Sequence, residues 1–351
     1  MFIVGDVGGT KTNLAITTQA HGVLLETLQS YCNDDFSSFG DVLQRFIADS
    51  ADANVASIDQ DGDKTDEINI SLSVAGPVWN NSCQLINRNW FIDLQGLQEK
   101  LPVRALSLTN DLAATALGVS QLSATDFVVL AQGDAADPLP SAEKAQLRFG
   151  VISLGTGIGQ ATLCTSDNSK TATWAISGEG GHKDFSVSTQ EDVALFLALK
   201  QWRPEDHICV ESAVSGLGLK YIYRFHCEQI PEIKGLPSWD HPEINKIIVK
   251  QGILDPSSVF RKTLLTLCRL FARECANLAL QNNCNGGIII VGGLALHLLE
   301  FLKQPEAREL FLRQFNDKPP YSNWLSGLTI KVCTDIYAPL RGANLTFITF
   351  S

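Results

Sequence analysis

The sequence predicts an α/β fold of two similar halves facing a cleft. Three observations predict it. The chain opens as strand, glycine turn and strand, in Phe2-Ile3-Val4, Gly5-Asp6-Val7-Gly8-Gly9-Thr10-Lys11-Thr12 and Leu14-Ala15-Ile16, and the same plan returns at Phe149 to Leu154, Gly155-Thr156-Gly157-Ile158-Gly159 and Ala161-Thr162-Leu163. Strand-like runs alternate with helical spacing between and after these turns. The 351 residues exceed one ordinary core and suit two domains of about 150 residues each.

In order along the chain, apolar alternation predicts strands at residues 2–4, 13–17 and 23–28, and helical spacing covers 39–48. The acidic, polar stretch 49–67 reads as a surface loop. A strand at 68–74 ends at Gly76-Pro77, a hairpin-like stretch passes Asn80-Asn81 to Trp90, and a helix follows near 94–101. The strand 105–108 meets Thr109-Asn110-Asp111, with helical spacing in 112–117. After the second glycine turn, a long apolar helix covers 257–282 and a buried strand, 287–291, ends at Gly292-Gly293. The short strand 330–334 and the tail from Leu340 complete the sheet and return the chain to the first half. The expected division is therefore a small domain, 1–109 completed by about 340–351, and a large one, 110–339. The stretch 228–255, with Pro231, Pro237, Pro242 and Pro256 in or beside it, reads as surface elaboration.

Composition excludes several classes of partner. A net charge of −11 and a pI near 5.0 argue against a nonspecific hold on nucleic acid or anionic lipid, which needs clustered Lys and Arg. The apolar region 287–302 is broken by Gly292-Gly293, His297 and Glu300, and no signal segment opens the chain, so neither a membrane span nor secretion is expected. Nine scattered cysteines without a CxxC pair fit reduced thiols in the cytoplasm.

The first glycine turn is not a Walker A loop, because Thr10 separates Gly9 from Lys11 and no helical pattern follows. GTGIG lacks the spacing of a Rossmann turn and leads into a strand. An ordinary glycine hairpin remains open for either turn alone. As a pair at the starts of two repeated halves, however, they could face one another and cradle a polyphosphate with exposed N–H groups. Asp6 could then hold Mg²⁺ through its water shell. Gly292-Gly293 would let a base or ribose lie against the backbone.

Two further groups carry candidate chemistry. Asn110 and Asp111 sit where a strand ends, the usual place of a cleft residue, although Asp111 reads equally as the N-cap of the next helix. In Gly178-Glu179-Gly180-Gly181-His182, the glycines let an acceptor and a neutral imidazole approach a ligand from one loop, a mixture suited to a neutral polyol. Glu211 alone reads as a charge at a helix N-terminus. Asn89 and Trp90 follow Asn87 in a turn that could close over a sugar or simply fold around a core tryptophan.

GDVGGTK, TNDLAATALG, LGTGIG, GEGGH, VESAVSGLGL and IIIVGGLA, in that order through nearly the whole chain, resemble the bacterial glucokinase family. GEGGHKDF with the upstream NDLAATA is the specific part, since related kinases share LGTGIG. The resemblance implies two ribonuclease-H-like (actin-like ATPase) domains and ATP-dependent phosphorylation of the 6-hydroxyl of glucose, a step of glycolysis. It assigns Asp111 as the catalytic base, and Asn110, Asp111, Glu179, His182 and Glu211 to the sugar. Gly5, Asp6, Val7, Gly8, Gly9, Thr10, Lys11, Gly155, Thr156, Gly157, Gly292 and Gly293 fall to ATP, with Mg²⁺ arriving on ATP and met by Asp6 through water. A cytoplasmic homodimer is expected. No structural zinc is expected, because Lys183-Asp184-Phe185 follows His182 without a cysteine cluster. Arg341 departs from the small or apolar residue usual among relatives. A kinase of another hexose or amino sugar, and a silent sugar-sensing regulator of the same fold, stay open as alternatives.

Overall fold

The computed structural model describes residues 1–18, 22–52, 67–85, 88–133, 147–165, 173–230 and 235–348. They form two compact units, Met1–Leu122 with Tyr337–Ser351, and Ser123–Ile336. Most of the acidic stretch, residues 53–66, and Asn87 lie outside the described residues.

The first unit runs β1 (Phe2–Val7), β2 (Lys11–Thr18), β3 (Gly22–Cys32), α1 (Phe39–Asp52), β4 (Ile68–Val74), β5 (Val78–Trp79), β6 (Ser82–Gln84), β7 (Phe91–Ile92), α2 (Leu94–Gln98), β8 (Val103–Asn110) and α3 (Asp111–Val119), and recovers the C-terminal helix Ala338–Ile348. Its main sheet has the order β3-β2-β1-β4-β8. The hairpins are antiparallel, whereas β4 and β8 run parallel to β1 with Val7 beside Val74 and Val74 beside Asn110. That register sets three carboxyl strand ends side by side.

Alternation along β1 sends Ile3 and Val7 to one face and Val4 to the other. The first face meets Phe39, Leu43 and Phe46 of α1, all buried; each contributes about 1.5–3 kcal/mol by leaving water. On the other face Val4 and Ala15 meet Leu340 of the C-terminal helix. Helix α3 crosses that helix so closely that a Cβ on Gly118 would lie 1.8 Å from the Ala338 carbonyl oxygen, and one on Gly342 would lie 1.7 Å from that of Ala114. This crossing carries the first unit on to Leu122, past the division expected at 109, and makes the tail from Leu340 a helix rather than a strand. Between β5 and β6, Asn80 and Asn81 both take left-handed φ, 49° and 54°, as a type I′ hairpin turn requires. The predicted loop from residue 49 begins later, because α1 continues to Asp52.

The second unit runs β9 (Phe127–Ala131), β10 (Leu147–Leu154), β11 (Ile158–Thr165), β12 (Thr173–Gly178), α4 (Gln190–Trp202), α5 (Gly216–Glu228), α6 (Ile244–Leu254), α7 (Val259–Asn282), β13 (Gly287–Val291), α8 (Gly293–His297), α9 (Leu299–Leu302), α10 (Pro305–Asn316), α11 (Ser322–Ser326) and β14 (Ile330–Cys333). Its sheet order is β12-β11-β10-β13-β14-β9. Read from β10, the first five strands repeat the topology of the first unit: two antiparallel hairpin strands on one side, two parallel strands on the other. β9 is an added antiparallel edge.

Helix α7 starts at Ser258, whose hydroxyl accepts the Arg261 N–H at 3.2 Å, and stops at Asn283 in the left-handed region. Leu264, Leu267, Phe271 and Leu278 bury one stripe of it in the core. The stretch 228–255 is more than surface elaboration. Its later half is α6, whose Ile244 and Ile248 are wholly buried in the same core. At the start of α4, Asp192 is fully buried, accepts the Ser188 and Thr189 amides at 2.9 Å each, and pairs with Arg269 and Arg273. All nine cysteines are free thiols, and burial pushes Cys268 and Cys284 up to about 12. No described helix is long and apolar enough to cross a membrane.

Candidate active site

In the first unit the turn between β1 and β2 is closed by the Gly8 amide, which donates to the Lys11 carbonyl at 3.0 Å. Asn33, fully buried, braces it from behind: its Nδ2 donates to the Gly8 carbonyl at 2.8 Å, its Oδ1 accepts the Thr12 hydroxyl at 2.7 Å, and its amide donates to the Thr10 carbonyl at 2.9 Å. Arg88 completes the brace, with Nε on the Gly9 carbonyl at 3.1 Å, Nη1 on the Asn33 carbonyl at 2.8 Å and an ion pair to Asp34. Thr10 and Lys11 at the tip of this braced turn are exposed.

The predicted residues of this turn divide by role. Gly5 is glycine for packing, since a Cβ there would stand 2.6 Å from Leu14 Cδ2 and 2.7 Å from Leu72 Cδ2. Val7 sends its side chain into the core, so only its backbone faces the turn. Asp6 accepts the Ser73 hydroxyl at 2.9 Å, and burial raises its carboxyl above the ordinary value despite hydrogen bonds from Ser73 and Asn13. Such an acid gains from a cation nearby.

At the end of β8 the N-cap of α3 is Asn110, not Asp111. Asn110 Oδ1 accepts the Leu112 and Ala113 amides at 3.0 and 3.3 Å, and its Nδ2 donates to the Gly76 carbonyl at 3.3 Å. Asp111 is thereby placed at the first helical position, half-buried at the carboxyl end of a parallel strand, with Oδ1 2.9 Å from the Leu112 amide. Its charge adds to burial in raising the Cys83 thiol.

In the second unit the Gly155 amide donates to the Gly157 carbonyl at 2.9 Å, closing the turn between β10 and β11. A Cβ built on Gly155 or on Gly293 meets open space, and these two residues follow the carboxyl ends of the parallel neighbours β10 and β13. Gly292 has φ of 102°, and a Cβ there would lie 2.5 Å from the Leu154 carbonyl oxygen, which explains the glycine.

Glu211 lies in the short 3₁₀ turn Val210–Ser212. Its role is not that of a helix-end charge: Oε2 accepts the Ile158 amide at 3.0 Å and occupies the space where Gly157 lacks a side chain, 2.2 Å from a would-be Cβ. The Gly216 amide donates to the Gly155 carbonyl at 2.9 Å, so the segment 211–216 and the glycine turn form one piece. Glu179 and His182 flank Gly180-Gly181 at the end of β12, both exposed and, among the described residues, without side-chain hydrogen bonds. Gly181 lets the Ile158 carbonyl approach, 2.2 Å from where a Cβ would stand. The structure thus brings Glu179, His182 and Glu211 to the β11 side of the second glycine turn, and Asn110 and Asp111 to the β8 side of the first sheet.

Sequence reasoning missed the braces, namely Asn33, Ser73, Arg88 and Gln160, whose Nε2 donates to the buried Glu274 carboxylate at 2.6 Å. Gln160 directly follows LGTGIG, a position that offered a signal. Asn33 and Ser73 lie far from any motif and offered none.

A hairpin-plus-parallel sheet occurring twice, each with a glycine turn and polar residues at the carboxyl strand ends, is the arrangement of the two-domain actin-like ATPase fold. The comparisons agree. A family model described as Glucokinase matches residues 3–349. A glucokinase of Psychromonas ingrahamii is 30% identical over 97% of this chain and 95% of its own length, and one of Colwellia psychrerythraea is 28% identical over 88% and 86%. Among solved structures, a glucokinase from an Antarctic psychrotroph superposes with a TM-score of 0.73 at 23% identity, over 99% of this chain and 98% of that one. A Balamuthia mandrillaris glucokinase does so at 0.72 and 19%, over 98% and 92%. The chain belongs to the glucokinase family.

Proposed function

We propose that the protein transfers the γ-phosphoryl group of ATP to the 6-hydroxyl of D-glucose, with Asp111 as general base. The observation that carries this reading is the position of Asp111, at the first turn of α3 directly after the carboxyl end of the parallel strand β8. The glucokinase relatives named above support the reaction class.

In this mechanism Asp111 accepts the proton of the sugar 6-hydroxyl as its oxygen bonds to the γ-phosphorus. The bond from that phosphorus to the β–γ bridging oxygen breaks, ADP leaves, and Asp111 returns the proton to solvent. Phosphoryl transfer needs little covalent help, so positioning dominates. Asn110, Glu179, His182 and Glu211 orient the sugar hydroxyls. The amides of Gly9 and Thr10, and of Thr156 and Gly157, which the closing bonds of the two turns leave over, cradle the phosphates. Gly292 and Gly293 admit the nucleoside.

Mg²⁺ fits as a companion of the nucleotide rather than a resident ion. Among the described residues no group of three or more His, Cys, Asp or Glu side chains could hold a metal, while Asp6 offers one carboxylate whose charge burial disfavours and a cation would restore. When bound, the ion neutralises the phosphate oxygens. The cytoplasmic homodimer expected from the sequence belongs to this reading.

The test is product analysis: purified protein with MgATP and glucose, fructose, mannose, glucosamine or N-acetylglucosamine, ranked by kcat/KM. Glucose 6-phosphate as the preferred product supports the assignment; preference for another sugar moves the protein to a different hexose kinase.

A further inference from the structure

Glu274 sits in the middle of α7, 4% exposed, and the chemistry above makes no use of its carboxylate. A buried charge persists only with partners. Here the partners lead to one place. Oε1 accepts Gln160 Nε2 and Lys183 Nζ, each at 2.6 Å, and Oε2 accepts Asn277 Nδ2 at 3.0 Å. Gln160 follows LGTGIG directly on β11, and Lys183 is the residue after His182.

A carboxylate only accepts hydrogen bonds, so Gln160 must turn its NH₂ toward Glu274 and its Oε1 the other way. That oxygen lies against Gly180, 1.9 Å from where a Cβ would be. Gln160 also pairs in register with Gly178. At the other end of the loop, Lys183 is held by the same carboxylate, and its carbonyl accepts the Val210 amide at 2.9 Å, next to Glu211. Both ends of residues 178–183 are therefore referred to one buried group. Glu179 and His182, exposed and without side-chain hydrogen bonds among the described residues, take their positions from this backbone alone.

We propose that Glu274 is a positioning residue for the sugar-side loop 178–182, acting through Gln160 and Lys183 to fix Glu179 and His182, and so setting hexose affinity without touching the hexose. This rests on the functional reading above.

The decisive variant is Glu274→Gln, which keeps the shape, removes the counter-charge of Lys183 and lets the Gln160 amide turn over. The glucose KM should rise about tenfold, roughly the value of one charged hydrogen bond, with the ATP KM unchanged. Lys183→Met should raise the glucose KM in the same direction, and the double variant should be no worse than Glu274→Gln alone, since both act on one network. An unchanged glucose KM in a Glu274→Gln protein that melts like wild type overturns the proposal, as does an equal rise in both KM values. If Glu274→Gln melts early, Lys183→Met decides, because its side chain is 34% exposed and can be replaced without opening the core: a raised glucose KM supports, an unchanged one overturns. Hydrogen exchange at 178–183 gives a readout independent of turnover. Faster exchange there in Glu274→Gln supports the proposal and unchanged exchange overturns it, even if a wild type silent toward glucose has refuted the functional reading.

Discussion

Gly157→Ala isolates the link between the second glycine turn and Glu211. The added methyl would stand 2.2 Å from Glu211 Oε2, closer than heavy atoms approach, and 3.1 Å from its Cδ, a tight contact. The obstacle is the end of a flexible side chain, so the carboxylate moves and the backbone stays. Moving it breaks the 3.0 Å bond from the Ile158 amide. That loss costs the fold about 1–2 kcal/mol, or a melting point lower by several degrees in a unit of this size. The effect on the sugar is larger. If Glu211 binds the sugar as proposed, a displaced carboxylate no longer accepts its hydroxyl, and a charged hydrogen bond of about 1.5–3 kcal/mol corresponds to a rise of about 10- to 150-fold in glucose KM. Initial rates against glucose at saturating ATP, with a thermal melt of the same preparation, measure both. A folded Gly157→Ala protein whose glucose KM stays within about twofold of wild type refutes the reasoning.

Two further predictions concern stability. Burial opposes the charge of Asp192, but Arg273, the Ser188 amide and Arg269 hold its carboxyl down at about 2. Because this folded value lies below the unfolded 3.8, the contribution is present above about pH 4 and is lost as pH falls toward 2; it amounts to about 2 kcal/mol. Asp192→Asn should lose at least that much at pH 7 and show a shallower fall in stability between about pH 4 and 2; urea melts across that range giving parallel curves would rule the mechanism out. Gly118→Ala places a methyl 1.8 Å from a main-chain oxygen that cannot rotate away, and should cost about 1–3 kcal/mol. An unaltered melting temperature in that variant would mean that α3 and the C-terminal helix do not cross as described.

Both glycine hairpins were legible because a strand, a glycine turn and a second strand leave a local signal, and their repetition anticipated the shared sheet order. Helix α7 was legible from its long apolar stripe, to within two residues at its start. Helix α6 was not, because prolines on both sides suggested a loop although Ile244, Ile248 and Gly252 form its buried face. The crossing of Gly118 with Gly342 depends on two segments far apart in sequence, and a glycine in a helix announces no partner. Among the proposed site residues, the motifs single out Asp111, Glu179 and His182, but the cap of α3 is Asn110 and not Asp111, which only backbone geometry decides. The braces around the site are pairings across the fold, such as Gln160 with Glu274, separated by 114 positions. Nothing local in either residue names the other.

Whether Asp111 is the base of a glucose phosphorylation is tested by glucose-dependent ADP release from MgATP by wild type and Asp111→Asn, with glucose binding followed alongside. Wild type should release ADP robustly, kcat should fall on the order of 10²–10⁴ in the variant, and glucose affinity should change by no more than about a few-fold. Release by Asp111→Asn close to that of wild type, or none by a wild type that still binds ATP, would contradict that role.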